Sequence, residues 1–175
     1  MDDVIIAAAT GTAYTGETGT GTESAQTAIA ASVGSTTGLN IPKLAKAKET
    51  FDLSDVDPSI ARHIIVSPEQ INNLLNVTEV TSSDFNTVKA LVQGEIDTFL
   101  GFKFTVSNRL AKSGNDRTCI AFAQDGITLG VGKDVSARID ERADKSYATQ
   151  VYYCMSIGAT RMEQAKVIGI TCTEA

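Results

Sequence analysis

The residue types that carry out acid–base or nucleophilic chemistry are few in this sequence. His63 is its one histidine, which excludes a two-histidine metal site and leaves a catalytic triad without further support. A histidine at a strand edge with a single hydrogen bond fits the sequence better, because no catalytic pattern surrounds it.

Two glycine-rich stretches raise the question of a phosphate-binding loop. A Walker loop needs glycine, four residues, glycine, lysine and then serine or threonine. Residues 11–38, rich in Gly, Thr, Ser and Ala, contain no lysine. Around Lys133, position 127 is isoleucine instead of glycine, and position 134 is aspartate instead of serine or threonine. Both stretches fail the motif. They predict an extended exposed segment and, at 126–134, a glycine-bent strand or loop.

A cluster of mixed charge lies at residues 140–145. Asp140 and Glu141 would suit a carboxylate pair in acid–base catalysis. The interleaved Arg142 and Lys145 favour an ion-pair network instead, which in an assembly would help to set the register between subunits.

Three cysteines, Cys119, Cys154 and Cys172, show no short spacing. Their odd number argues against a disulfide framework, and we predict reduced, mostly buried thiols. The sequence thus indicates no catalytic, cofactor-binding or metal-binding residues, and no cofactor is expected.

The chain has 175 residues, of which 42% are hydrophobic and 21% charged, typical of one globular domain or of one with a small lobe. A net charge of −6 argues against a sequence-independent nucleic-acid binder, which needs a basic surface. No apolar run approaches the ~18 residues of a transmembrane helix, and the acidic start predicts no signal peptide.

The clearest secondary-structure pattern begins at the apolar run 64–66, which predicts a buried strand. Ser67 and Gln70 then form a helix start of the capping-box type, with Pro68 at the first helical position. The apolar face of this helix comprises Ile71, Leu74 and Leu75.

A second helix is predicted from a cap at Ser83 or Asp84 to Gly94. A strand, a turn permitted by Gly101 and a second strand follow. In the second strand, Phe102, Phe104 and Val106 alternate with polar residues.

Helices are also predicted over 1–10 and over 39–52, the latter capped by Asn40. Lys43, Lys46 and Lys48 form its polar side, which is a solvated face or, alternatively, an intersubunit contact or nucleic-acid patch. The remaining predictions are a turn at 112–116, a strand covered on both faces at 118–123, a half-buried strand at 134–142, a long strand at 147–157, a turn at 158–160 and a last strand at 166–172.

The order and spacing of four segments resemble the C-terminal half of tailed-phage major capsid proteins, which have the Hong Kong 97 fold. These segments are SPEQINNLL, TSSDFNTVKALVQGEI, LGFKFTVSNRL and RIDERADKSYATQVYYCMSIGATRMEQAKVIGITC. The resemblance covers roughly residues 60–173, and it rests on order and spacing because none of the segments is a chemical signature.

The resemblance implies an α+β fold in three parts. Residues 1–35 would hold the end of the spine helix and the Gly/Thr-rich extended segment, 36–130 an axial-type lobe, and 131–175 strands returning to a peripheral-type lobe. The family's N-terminal arm, extended loop and most of its spine helix would be missing. We therefore expect the isolated chain to be monomeric or to form small oligomers or rings, without closing a shell.

The function implied is that of a structural virion protein, the major capsid subunit of a tailed phage or prophage, with no enzymatic activity. Its partners would be copies of itself in five- and six-fold capsomers, with scaffold or portal proteins as further candidates and with no specific nucleic acid or membrane. It would lie in the virion, and in the host cytoplasm during assembly. The alternatives are a small-ligand or protein-binding module and a nucleotide-binding enzyme.

Overall fold

The computed structural model describes residues 2–14, 23–24, 27–34, 38–76 and 98–174. Its α-helices in these ranges are α1 (Asp2–Thr10), α2 (Ile41–Leu53) and α3 (Pro68–Leu75). The strands are β1 (Ala13–Tyr14), β2 (Glu23–Ser24), β3 (Thr27–Ile29), β4 (Arg62–Val66), β5 (Thr98–Phe99), β6 (Phe102–Val106), β7 (Lys112–Ser113), β8 (Asp116–Ala123), β9 (Ile127–Arg142), β10 (Ala148–Arg161) and β11 (Val167–Thr173). The predicted helix from Ser83 or Asp84 to Gly94 lies outside the described residues.

The largest sheet has seven strands in the order β3-β11-β8-β4-β6-β5, with β7 paired to β8. Two pairs, β3–β11 and β4–β6, are parallel, and the other pairs of this sheet are antiparallel. Together with α1 to α3 this mixed sheet confirms the predicted α+β class.

The middle of this sheet is buried on both faces, as predicted for the strand at 118–123. Cys119, Ile120 and Ala121 are consecutive in β8 and have no exposed surface. β11 behaves in the same way at Val167 and Ile168. Successive residues of a strand point to opposite faces, so consecutive buried residues mean that both faces are covered.

Helix α2 packs on this sheet through the face that its sequence predicts. Leu44, Ala47 and Phe51 are fully buried, and the Asn40 side chain accepts a hydrogen bond from the Lys43 backbone N–H at 2.9 Å. The buried Arg62 fixes the helix end to β4, because its guanidinium bonds Asp52 at 2.8 Å and lies 5.3 Å from the Phe51 ring centre.

Helix α3 begins where the capping pattern predicts. The Ser67 hydroxyl accepts a hydrogen bond from the Gln70 backbone N–H at 3.4 Å, and Pro68 occupies the first helical turn. Leu74 is fully buried, while Ile71 and Leu75 pack partly buried against the core.

The predicted turn between β5 and β6 is made by Leu100 and Gly101, with φ of 51° and 84°. Two central residues with positive φ are typical of a type I′ hairpin. In β6, Phe102 and Phe104 are buried and Lys103 is exposed, which confirms the predicted phase, although Val106 is 53% exposed.

Strands β9 and β10 form a separate two-stranded antiparallel sheet, which we call the hairpin. The predicted strand at 134–142 is therefore present, but its predicted half-burial is wrong: all of its residues except Ser136 are exposed. Alternation indicates an amphipathic strand, yet it does not indicate whether anything covers the apolar side.

The turn predicted at 158–160 is also wrong, because β10 continues through Gly158 to Arg161. Gly158 pairs with Gly130, and the ladder continues for three more residue pairs. Pairing with a long partner strand therefore outweighed the local turn tendency of glycine. The chain turns instead at a short 3₁₀ segment, Gln164–Lys166, before entering β11.

Candidate functional site

The exposed large apolar side chains of the described residues concentrate on the hairpin. Seven of them lie between residues 131 and 153, with 48% to 72% of their surface exposed. They are Val131, Val135, Ile139, Tyr147, Val151, Tyr152 and Tyr153. Clustered exposed apolar side chains indicate an interaction surface, whereas single ones are ordinary.

The register of the hairpin sorts its side chains onto two faces. Ile139 opposes Val151 and Ala137 opposes Tyr153, and opposed residues of an antiparallel pair point to the same side. Val135, two residues before Ala137, extends this set, which we call the apolar face. Three charged residues of β9 lie on the other face, Arg138, Asp140 and Arg142, while Glu141, opposite Thr149, lies at the tip end of the apolar face.

The charged cluster predicted at 140–145 lies at the hairpin tip. Arg142 Nε donates to the Asp144 carboxylate at 2.9 Å, and this hydrogen bond lowers the pKa of Asp144 and raises that of Arg142. Both side chains are about half exposed, so the pair stabilises the tip weakly. The ion-pair interpretation is confirmed for this pair.

The backbone at the tip takes an uncommon conformation. After a 3₁₀ turn, Ala143–Lys145, both Ser146 and Tyr147 have positive φ, at 52° and 59°. Non-glycine residues adopt this region at a cost, and Tyr147 is 72% exposed. The tip thus holds an aromatic ring out into solvent.

A partly buried thiol lies near the middle of the hairpin. Cys154 faces Ser136 across the ladder, with their Sγ and Oγ atoms 2.9 Å apart, and Lys133 Nζ donates to Sγ at 3.1 Å. Hydrogen bonds from Ser136 and Lys133 lower the pKa of the Cys154 thiol. Cys119 and Cys172 are buried, so the prediction of mostly buried, free thiols holds for two of the three.

The base of the hairpin is tied to α1. The buried Arg161 donates from Nη1 to the Ala9 carbonyl at 3.2 Å, near the C-terminal end of the helix, where cations are favoured. Asp3 and Arg109 join the other end of α1 to the loop after β6 at 2.6 Å.

A buried carboxylate, which no sequence pattern predicted, directly follows β11 of the large sheet. Glu174 is 1% exposed and accepts from Ser67 Oγ at 2.7 Å, while Lys112 Nζ and Arg117 Nε lie 3.1 and 2.7 Å from its oxygens. Burial favours the neutral acid, but hydrogen bonds from these groups and from Gln70 prevail and lower the pKa of Glu174 to about 2. The network joins the start of α3 to the β7–β8 turn, and the cap at Ser67 was its only sequence signal.

The prediction that Lys43 lies on the polar side of α2 is wrong. Its side chain is fully buried, Nζ donates to the Gly38 carbonyl at 2.7 Å, and burial lowers its pKa. Lys46 and Lys48 are exposed, and Lys46 bonds Glu49 at 3.0 Å. The two exposed lysines therefore fit the solvated-face interpretation.

His63 lies in a central strand instead of at the predicted strand edge. β4 pairs with both β6 and β8, and the imidazole stacks on Phe122 with ring centres 5.5 Å apart. Within the described ranges, no group of three or more His, Cys, Asp and Glu side chains is placed to hold a metal ion. None of the described helices is long and apolar enough to cross a membrane.

Solved phage structures share this fold. A chain of Mycobacterium phage Che8 matches with a TM-score of 0.69 and 17% identity, over 96% of this chain and 55% of that one. The capsid structure of cyanophage P-SCSP1u matches with a TM-score of 0.67 and 18% identity, over 99% and 60%. The acid-stable capsid structure of Helicobacter pylori bacteriophage KHP30 matches with a TM-score of 0.66 and 12% identity, over 98% and 64%. The chain thus has the predicted Hong Kong 97-type fold and spans 55% to 64% of the length of these chains.

Sequence comparison gives the family directly. No curated protein matches this chain. The family model described as phage capsid protein matches residues 1–174, almost the entire sequence. The chain therefore belongs to the phage capsid protein family.

Proposed function

We propose that this chain is a structural subunit of a phage head, that it associates with copies of itself, and that it has no catalytic turnover. The observation that carries this proposal is the exposed apolar face of the hairpin in a member of a capsid family. Apolar faces of this kind are covered when soluble subunits assemble. The protein would lie in the virion, with assembly in the host cytoplasm and with scaffold or portal proteins as further partners.

The division into lobes is part of the same proposal. Residues 36–130 would form the axial-type lobe and 131–175 the peripheral-type strands, after a first segment at 1–35. Within residues 131–175 we propose one refinement: the peripheral-type strands end near Arg161, and β11 returns to the axial-type lobe, because it pairs with β8 in the large sheet.

Self-association is tested by sedimentation velocity from micromolar to near-millimolar protein. We expect small oligomers at the high end, because the apolar face contributes only modest area and such interfaces are often micromolar or weaker. Val151→Lys, which puts a charge on the apolar face, should shift this association to higher concentration. Leu53→Lys, a charge on an exposed apolar position of α2, is the matched control and should leave it unchanged. A wild-type protein that stays monomeric throughout would contradict the proposal.

The alternative functions are tested with substrates and ligands. Purified protein would be incubated with ATP, GTP and generic esterase and phosphatase substrates, and we expect no turnover. Activity that survives repurification and disappears in Lys133→Ala or His63→Ala would contradict a structural role. A ligand-induced rise in melting temperature would instead favour a small-ligand-binding module.

A further inference from the structure

The two edges of the hairpin differ in charge. Within the described residues β9 and β10 pair only with each other, so each strand has one edge without a partner strand. β10 has no charged residue from Ala148 to Thr160. β9 carries six: Lys133, Asp134, Arg138, Asp140, Glu141 and Arg142.

The two edges also differ in regularity. Between the pairs Cys154–Ser136 and Ile157–Val131, β10 advances by three residues and β9 by five. β9 therefore carries two extra residues, and the register shifts at this place. Bulges bend a strand and interrupt the regular spacing of its backbone N–H and C=O groups.

Charges and bulges are the usual means by which an edge strand avoids pairing with another chain. β9 has both. β10 has neither over the 13 residues from Ala148 to Thr160, and it also carries the aromatic residues Tyr152 and Tyr153, which favour strand pairing. The edge of β10 is thus the one that is suited to receive a further strand.

We propose that the open edge of β10 pairs antiparallel with β10 of a second copy of this chain, around a two-fold axis near Cys154. This inference rests on the proposed self-association and specifies one of its contacts. A second copy suits this edge because an uncharged strand places no like charges opposite each other when it pairs with itself. Such a contact is isologous, with the same residues supplied by both subunits.

The register follows from the faces of the strand. A shift by one residue would place apolar residues opposite polar ones, so registers that keep the apolar face continuous are preferred. With Cys154 opposite Cys154 of the partner subunit, the uncharged stretch pairs over its full length. Tyr153 then lies opposite Met155 of the partner subunit, and Val151 opposite Ile157 of the partner subunit. Both pairs extend the apolar face across the axis.

The first test is thiol cross-linking of the wild-type protein at near-millimolar concentration with a short bifunctional maleimide. Cys154 is the half-buried thiol and Cys119 and Cys172 are buried, so covalent dimers should form through Cys154. Cys154→Ser should abolish them. The absence of a covalent dimer from a protein that sedimentation shows to be associated would overturn the proposed register.

The second test uses charge exchange at the axis, with Cys154→Lys and Cys154→Glu compared with Cys154→Ser. Each charged variant alone should associate at least about fivefold more weakly, because like charges meet across the axis. An equimolar mixture of the two should restore association. Leu53→Lys, at an exposed position of α2 outside the hairpin, is the control. Melting temperatures near that of Cys154→Ser would show that the variants fold.

The outcomes separate this inference from the proposed function. Variants that associate like Cys154→Ser, or a mixture that shows no recovery, would overturn the β10 pairing and leave self-association standing. A wild-type protein that is monomeric up to near-millimolar concentration would overturn both.

Discussion

Strands β8 and β10 are both rich in apolar residues, and the fold places them in opposite surroundings. In β8, Cys119, Ile120 and Ala121 are fully buried, because β4 and β11 flank the strand and the core covers it. In β10, Val151 and Tyr153 are 69% and 62% exposed, and β9 is the one strand paired with it in the described part of the chain. We therefore expect the stability of the subunit to depend on the first region, and its proposed association with other copies to depend on the second.

This difference has a sequence correlate. The buried strand β8 is apolar at consecutive positions, whereas β9 of the hairpin alternates, with Val135, Ala137 and Ile139 separated by polar or charged residues. Consecutive apolar residues need cover on both sides, and alternation needs cover on only one. Within the described residues, Val135 and Ile139 of this side are 48% and 72% exposed.

The largest expected effect compares the same truncation in the two regions. Phe102 is fully buried and lies 6.1 Å from the Phe51 ring, so Phe102→Ala should lower the free energy of unfolding by about 3–5 kcal/mol. Tyr153→Ala on the hairpin should change it by less than about 0.5 kcal/mol. Urea denaturation of dilute, monomeric protein measures both, and equal losses would show that the hairpin is part of the cooperative core.

A second effect should appear on acidification. The pKa of Glu174 is about 2 in the folded protein, below the ordinary value of 4.5, so its ionised form stabilises the fold above pH 4.5. That stability is lost as pH falls from about 4.5 to 2, on the order of 3 kcal/mol. Glu174→Gln should lose this contribution at pH 7 and show a smaller further loss on acidification.

The measured quantity is the difference in denaturation midpoint between wild type and Glu174→Gln, because the other carboxylates titrate in both proteins. Measured at pH 7, 4.5, 3 and 2, the midpoints of the two proteins should become more similar as the pH falls. A gap that stays constant from pH 7 to 2 would show that the charge of Glu174 is not what stabilises the network.

Sequence reasoning succeeded where the determinants are local. The caps at Asn40 and Ser67, the turn at Gly101 and the alternation of Phe102 and Phe104 each depend on a few adjacent residues, and each is present in the structure.

The sequence does not predict local structure correctly where residues distant along the chain determine it. Gly158 stays in a strand because Gly130 pairs with it, and Ser67 bonds a carboxylate 107 residues away. The apolar alternation of residues 135–139 predicts the apolar face of the hairpin, but its exposure depends on which other parts of the fold pack against it.

The smallest expected effect concerns the hairpin tip and tests whether the two regions unfold separately. Ser146 has φ of 52°, a conformation that asparagine tolerates better than serine. Ser146→Asn should stabilise the tip by up to about 1 kcal/mol, which slows exchange of amide hydrogens in residues 140–150 by up to roughly fivefold if they exchange by local opening. The midpoint of global unfolding should not move, because the hairpin is not part of the core.

Ser156→Asn, in the extended part of β10, is the control and should slow exchange at neither end of the hairpin. A shift of the global midpoint in Ser146→Asn would show that the tip and the seven-stranded sheet unfold together, and that the separation between a stabilising region and a binding region is incomplete.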